Sequence, residues 1–117
     1  MSTTEVGRRA EDLAASYLIR RDFTIMARNW RTRWCELDLV ASRDGIIHII
    51  EVKYRRSSTY GHGYDYVNVD KRHRLTKAAA VFVAGHAPGA DYQIDIISVE
   101  GIVELANLTM IENAVTG

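Results

Sequence analysis

Three charged residues stand where the sequence otherwise reads as the inside of a sheet: Asp38, Glu51 and Lys53. Glu51 and Lys53 belong to the run Ile46-Ile47-His48-Ile49-Ile50-Glu51-Val52-Lys53-Tyr54, which is apolar on both faces at its start, as in a strand covered on both sides. Two positions apart on a strand, they share one face and Val52 takes the other. Asp38 lies in a second strand, Cys35 to Ala41, where alternation puts Cys35, Leu37 and Leu39 on one face and Glu36, Asp38 and Val40 on the other. Between the two, Arg43-Asp44-Gly45 carries the Asp-Gly signature of a short hairpin turn. That turn folds the strands together and makes Asp38 a cross-strand neighbour of the Glu51/Lys53 pair.

Charges in such places must be paired, bound to a metal or open to water at a cleft, because an unpaired buried charge is too costly to keep. Two carboxylates suit a hard divalent cation such as Mg²⁺ or Mn²⁺, which takes one or two protein carboxylates, water and substrate phosphate. An ion so held polarises a phosphodiester and acidifies a water. A lysine beside it can stabilise the developing charge or orient the attacking water. The plainer alternative is an internal ion pair of Lys53 with Asp38 or Glu51 at a strand end.

The elements that would position these groups follow from periodicity. A first helix is predicted from about Glu5 to Arg21, with Val6, Ala10, Leu13, Ala14, Tyr17 and Leu18 at helical spacing and Glu11 at the edge of that apolar stripe. A strand from Phe23 to Asn29 precedes the two already named. The polar stretch from Arg55 to Asn68, with Gly61, Gly63, Tyr60, Tyr64 and Tyr66, reads as a long loop. Asp70 caps a second helix running to about Ala84, with Leu75, Ala78, Ala79, Phe82 and Val83 inward. Tyr92 to Val99 is a fourth strand and Ile102 to Leu105 a short fifth; the segment from Asn107 shows no usable pattern. The order α-β-β-β-α-β-β predicts an α/β sandwich, a central mixed sheet with a helix on each face. One domain is expected over residues 1–117, with its core in about 5–105 and a C-terminal tail over 106–117.

Composition bounds the function. Apolar residues make up 47% and charged residues 26% of the 117, the balance of a soluble globule. The lone Cys35 excludes an intramolecular disulfide, and no apolar run reaches the roughly 20 residues of a membrane span, so a cytoplasmic protein is expected. The zero net charge is segregated. All 15 Lys and Arg lie at or before Lys77, giving residues 1–77 a charge of +5 and residues 78–117 a charge of −5. Twelve of those cations are Arg, whose planar fork suits phosphate, so a polyanionic partner is expected on the first part of the chain.

Asp38, then Glu51-Val52-Lys53 thirteen positions on, between a helix carrying Glu11 and a basic helix start, resembles the core of the PD-(D/E)XK nuclease superfamily. More narrowly, the chain resembles the YraN family of small bacterial proteins, described as predicted endonucleases with a restriction-endonuclease-like three-layer sandwich. Gly7, Glu11, Ala14, Asn29, Glu36-Leu37-Asp38-Leu39-Val40, Glu51-Val52-Lys53-Tyr54-Arg55, Gly61, Val69, Lys71, Leu75, Ala79 and Asp95-Ile96-Ile97-Ser98-Val99 carry that resemblance. It implies that Asp38 and Glu51 are metal ligands and Lys53 the catalytic lysine. It also implies that the Val52 carbonyl completes the site and that Glu11 is the extra helix carboxylate of junction-resolving relatives. Lys71 matches a basic position, and a cation at a helix N-terminus opposes the macrodipole, which points to a task other than helix stability. Cys35 stands where the family has Gly, and Leu37 where the superfamily name has Pro.

Arg55, Arg56, Lys71, Arg72 and Arg74 flank the site in sequence and are candidate phosphate contacts, with Tyr60 and His62 candidate contacts to bases or backbone. His48 falls on the strand face opposite Glu51, where a buried, hydrogen-bonded role is expected. No base-reading module fits in the chain. The function expected is a Mg²⁺- or Mn²⁺-dependent endonuclease acting on DNA, selective for structure (junction, flap or single strand) over sequence, with RNA also open as a substrate; a homodimer is one open form, with no self-association pattern in the sequence to specify it. The alternative is a nucleic-acid-binding protein that keeps the nuclease-like fold without turnover. A scaffold that binds a protein through its acidic C-terminal part is a third reading.

Overall fold

The computed structural model describes residues 3–33, 35–56 and 69–115. Helix α1 spans Thr3–Ile19, strand β1 Thr24–Arg31, β2 Glu36–Arg43 and β3 Ile46–Arg55. Helix α2 spans Val69–His86, β4 Asp91–Glu100, a 3₁₀ turn Val103–Leu105 and β5 Asn107–Val115. The five strands form one sheet in the order β1-β2-β3-β4-β5, antiparallel throughout except for the parallel β3–β4 pair joined through α2. The mixed α/β sheet with a helix on each face is as predicted. No described helix is long and apolar enough to cross a membrane.

Local chemistry sets the connections. Asp44 (φ 53°) and Gly45 (φ 79°) are the two central residues between paired Arg43 and Ile46, the two-residue loop whose left-handed backbone matches strand twist. At the end of α1, Asp22 takes φ 68°, with Asp22 N–H donating to Ile19 O and Phe23 N–H to Leu18 O. This is a Schellman closure, and Phe23 and Leu18 lie in one buried cluster beneath it.

Each helix seals one face. Ala10, Ala14, Ala15 and Leu18 of α1 pack on Leu39, Ala41, Ile50, Ile97 and Val99; the small residues let the helix approach the sheet closely. On the other face Leu75, Ala78, Ala79, Phe82 and Val83 of α2, the five residues predicted, pack on Leu37, Val40, Ile47, Ile49 and Ile94. Burying each such Leu, Ile or Phe contributes roughly 1.5–3 kcal/mol.

Three expectations are corrected. Ile102 to Leu105 is not a strand: Gly101 (φ 110°) donates to Arg55 O, and Leu105 N–H closes on Ile102 O in the 3₁₀ turn. The segment from Asn107 is not a tail but the edge strand β5, paired along β4 from Glu100↔Asn107 to Ile94↔Val115. Its Leu108 and Met110 alternate onto the α1 cluster, a signal thinned by the polar residues an edge strand carries. Finally, Leu37 and Cys35 face α2 while Leu39 faces α1, so the alternation expected along β2 breaks at Asp38.

Candidate functional site

The break at Asp38 has a partner. In β1, Ala27 and Trp30 face α2, whereas Arg28 pairs across with Leu39, so β1 loses its alternation at Asn29. Asn29 has φ 53°, and the rungs Arg28↔Leu39 and Trp30↔Leu37 flank Asn29 and Asp38 without pairing them. On the other side, the β2–β3 ladder runs from Arg43↔Ile46 to Leu39↔Ile50 and stops. Asp38 thus sits one position past the last β2–β3 rung and between two rungs to β1, and its Oδ2 accepts the Val52 N–H at 2.9 Å.

Glu51 stands one position beyond the last rung, 4% exposed. Its Oε1 lies 3.3 Å from Lys53 Nζ and 3.2 Å from Lys71 Nζ, while Oε2 is buried with no hydrogen-bond partner among the described residues. Burial and then the neighbouring Glu51 charge push the Asp38 carboxyl up to about 8, against the relief of the Val52 N–H; Glu11 adds to the rise. Burial would lower the Lys71 ammonium, but Glu51 outweighs it and the net shift is upward. That contact answers why a lysine occupies the first turn of α2 despite the macrodipole. Lys53 meets Glu51 on the shared face that their spacing predicts, so the ion pair and the carboxylate cluster coexist. Cys35 lies close enough to feel Lys71, Glu51 and Asp38, and burial raises its thiol.

Glu11 approaches from α1. With its NH₂ turned to the carboxylates, Asn29 donates to Glu36 Oε1 at 2.7 Å and to Glu11 Oε1 at 3.0 Å. Burial raises the Glu11 carboxyl; the Asn29 bond opposes this and the charge of Glu36 adds to it. These residues line an open pocket of about 320 Å³ with Gly7, Arg8 and Arg31 at its walls. Glu11 does not close a tight three-ligand group with Asp38 and Glu51. Among the described residues the group whose ligand atoms all lie within 4.8 Å of one another is His48, Asp95 and Glu112.

That second group has a structural explanation. His48 Nδ1 lies 2.6 Å from Asp95 Oδ2, and Asp95 Oδ1 accepts from Gln93 Nε2 (2.9 Å) and Asn113 N–H (2.7 Å). Asp95 is fully buried yet fully bonded, and His48 lies edge-on to Phe23 on the α1 face, as its strand position predicts. The sequence did signal the pair, as polar interruptions in two apolar strands, but not their union. Asn29 and Glu36 were missed as site residues, because a left-handed backbone at Asn29 has no sequence marker here.

The basic residues divide. Arg72 and Arg74 are exposed on the first turns of α2, and Arg74 acts on Cys35 beside the carboxylates. Arg55 continues the Glu51–Lys53 face. Arg56 instead lines a hollow of about 290 Å³ with Val6, Tyr54, Ile102 and Glu104 on the α1 side. Tyr60 and His62 lie outside the described residues. A further hollow, about 650 Å³, is at the hairpin end of the sheet, lined by Arg21, Asp22, Ser42, Arg43 and Ala87 and remote from Asp38 and Glu51.

A UPF0102 protein of Clavibacter michiganensis subsp. michiganensis is 38% identical over 96 residues, 81% of each chain. UPF0102 proteins of Stutzerimonas stutzeri (34%, 92% of each chain) and Myxococcus xanthus (34%, 94% of this chain and 88% of the relative) align over more of it. The pattern of the uncharacterised protein family UPF0102 matches residues 10–99, which takes in Glu11, Asn29, Glu36, Asp38, Glu51, Lys53 and Lys71. With that match over most of its length, the chain belongs to UPF0102, the YraN-type family that its motifs resemble.

Proposed function

We propose that the protein is a metal-dependent endonuclease that hydrolyses phosphodiester bonds of DNA, with selection by structure. On this reading the sheet and its two helices are the restriction-endonuclease-like sandwich. The observation that carries it is the meeting of two buried acids: Glu51 Oε2 has no hydrogen-bond partner among the described residues, and beside it the Asp38 carboxyl is held up at about 8. Two acids so placed are relieved by a cation that accepts both. Asp38 and Glu51 would hold Mg²⁺ or Mn²⁺, with the Val52 carbonyl and Glu11 as the further ligands that the family resemblance implies. The ion would supply Lewis-acid polarisation of the phosphodiester and an acidified water. Lys53 brings a positive charge to the same face for the developing negative charge. Arg72 and Arg74 offer phosphate contacts at the α2 start, which is sequence-independent binding. The expected result is Mg²⁺- or Mn²⁺-dependent cleavage of branched, flapped or single-stranded DNA, lost in Asp38→Asn and Lys53→Ala proteins that still fold. Intact substrates with either metal overturn the enzyme reading.

One observation favours the second reading, a nucleic-acid binder without turnover. Glu51 already carries two ammonium groups, Lys53 and Lys71, at 3.3 and 3.2 Å, so its charge is balanced with no metal. Calorimetric titration separates the two: Mn²⁺ binding that tightens with DNA supports the enzyme, whereas salt-sensitive DNA binding indifferent to Mn²⁺ supports the binder.

A further inference from the structure

We propose that Asn29 is a positioning residue, a clasp whose amide holds the carboxylates of Glu11 and Glu36 together and so fixes the orientation of Glu11; its part in catalysis rests on the function proposed above. Glu11 comes from α1 and Glu36 from the start of β2, and nothing in either element's own geometry requires them to meet. Their charges repel, yet with its NH₂ turned to them, the orientation that satisfies donor and acceptors alike, the Asn29 amide bonds both, at 3.0 and 2.7 Å. Of the nearby guanidiniums, Arg31 Nε is bonded to Glu36 Oε2 at 3.1 Å and Arg28 Nη2 to Asp12 Oδ1 at 2.6 Å, so Arg28 reaches Glu11 as a charge and not as a bonded donor. Asn29 is the described residue that donates to both acids.

The backbone explains the choice of residue. Asn29 has φ 53° and lies opposite Asp38 at the break in the β1–β2 ladder. Position 29 therefore demands two things at once, a left-handed backbone and a double donor with no acceptor facing the acids. Asn meets both. Gly would meet only the first, Gln only the second, and Asp would turn a third oxygen onto the pair. The strained conformation is thus tied to the amide's task, and is more than a turn between strands.

The test uses the full-length chain and the variants Asn29→Gly and Asn29→Asp. Asn29→Gly preserves the backbone, so its melting temperature should match the wild type, which a purely structural role for Asn29 would also give. The clasp predicts in addition a Mn²⁺ affinity, and a Mn²⁺ half-saturation of DNA cleavage, weakened about tenfold or more in both variants, the usual effect of losing a group that orients a ligand. It also predicts that Asn29→Gly has no further effect in a Glu11→Ala background. Wild-type metal dependence in Asn29→Gly, or an undiminished loss in the Glu11→Ala background, overturns the clasp. Side-chain ¹⁵N spectra decide it without activity: the Asn29 NH₂ should shift when either Glu11 or Glu36 is replaced by Ala, and an unmoved NH₂ overturns it. If the wild type binds no Mn²⁺ and cuts nothing while the NH₂ responds, the nuclease reading falls and the clasp stands.

Discussion

The Asp38 carboxylate accepts the main-chain N–H of Val52 at 2.9 Å, just past the point where strand-to-strand pairing ends. A side chain thus does what a main-chain carbonyl would do in an unbroken sheet. Because Val52 sits between Glu51 and Lys53, this one bond fixes the separation of the acid from the pair across the hairpin.

Asp38 should make stability depend on pH. Its carboxyl is raised from 3.8 in the unfolded chain to about 8 in the folded one, so the native state binds the extra proton between those values. Stability is therefore highest at the acid side of this window and falls as pH rises toward 8, by up to about 1.4 kcal/mol per unit of difference. Urea titrations from pH 5 to 9 should show that decline in the wild type and a flatter profile in Asp38→Asn, whose amide oxygen can still accept from Val52. Saturating Mn²⁺ should flatten the wild-type profile too.

Lys53 and Lys71 should be partly redundant for folding and distinct for chemistry. Each removal leaves Glu51 one ammonium, and should cost about 1 kcal/mol in urea denaturation. Removing both leaves a buried carboxylate uncompensated and should cost about 3 kcal/mol or more, beyond the sum of the singles. If the endonuclease proposal holds, Lys53→Ala alone should abolish DNA cleavage.

Asp95 should be a pillar of the fold and not of the chemistry. Asp95→Ala strips partners from His48, Gln93 and the Asn113 N–H inside the protein and is expected to destabilise it by about 2–4 kcal/mol. If the proposed metal site holds, calorimetry on the folded variant should show Mn²⁺ binding like that of the wild type. A loss of Mn²⁺ binding would move the metal to the His48 side.

If the proposed DNA binding holds, Arg72 and Arg74 should act on it through charge. Replacing either with Ala should weaken DNA binding alike across sequences and lower the slope of log affinity against log salt by about one unit, measured by fluorescence anisotropy.

Where one residue type decides the local structure, the sequence was easy to read. Asp44-Gly45 has a single good conformation, and the α2 stripe of Leu75, Ala78, Ala79, Phe82 and Val83 admits one buried face. Asp38, Glu51 and Lys53 were legible as a group because charges in apolar strands are costly and hence rarely accidental. Lys71 and the ligand role of Glu11 were singled out by the family resemblance, and the pairing of Lys71 with Glu51 was not foreseen, since it depends on how a helix is laid on the sheet. Leu37 was assigned to the wrong face because strict alternation assumes an unbroken ladder. The Asn29 and Asp38 breaks depend on three strands meeting, which no window along one strand contains. β5 was missed for a similar reason: half its residues face solvent, and its apolar half becomes a pattern only once β4 is beside it.

The last strand protects the rest of the molecule from itself. Without Asn107–Val115, β4 would become the outermost strand, offering the open N–H and C=O groups of Ile94-Asp95-Ile96-Ile97-Ser98-Val99 to any chain nearby. Extended segments of this kind, rich in β-branched residues, are templates for intermolecular stacking. A copy cut short at Ala106 would keep Glu11, Asp38, Glu51 and both lysines, yet be prone to aggregate before any chemistry could be assayed.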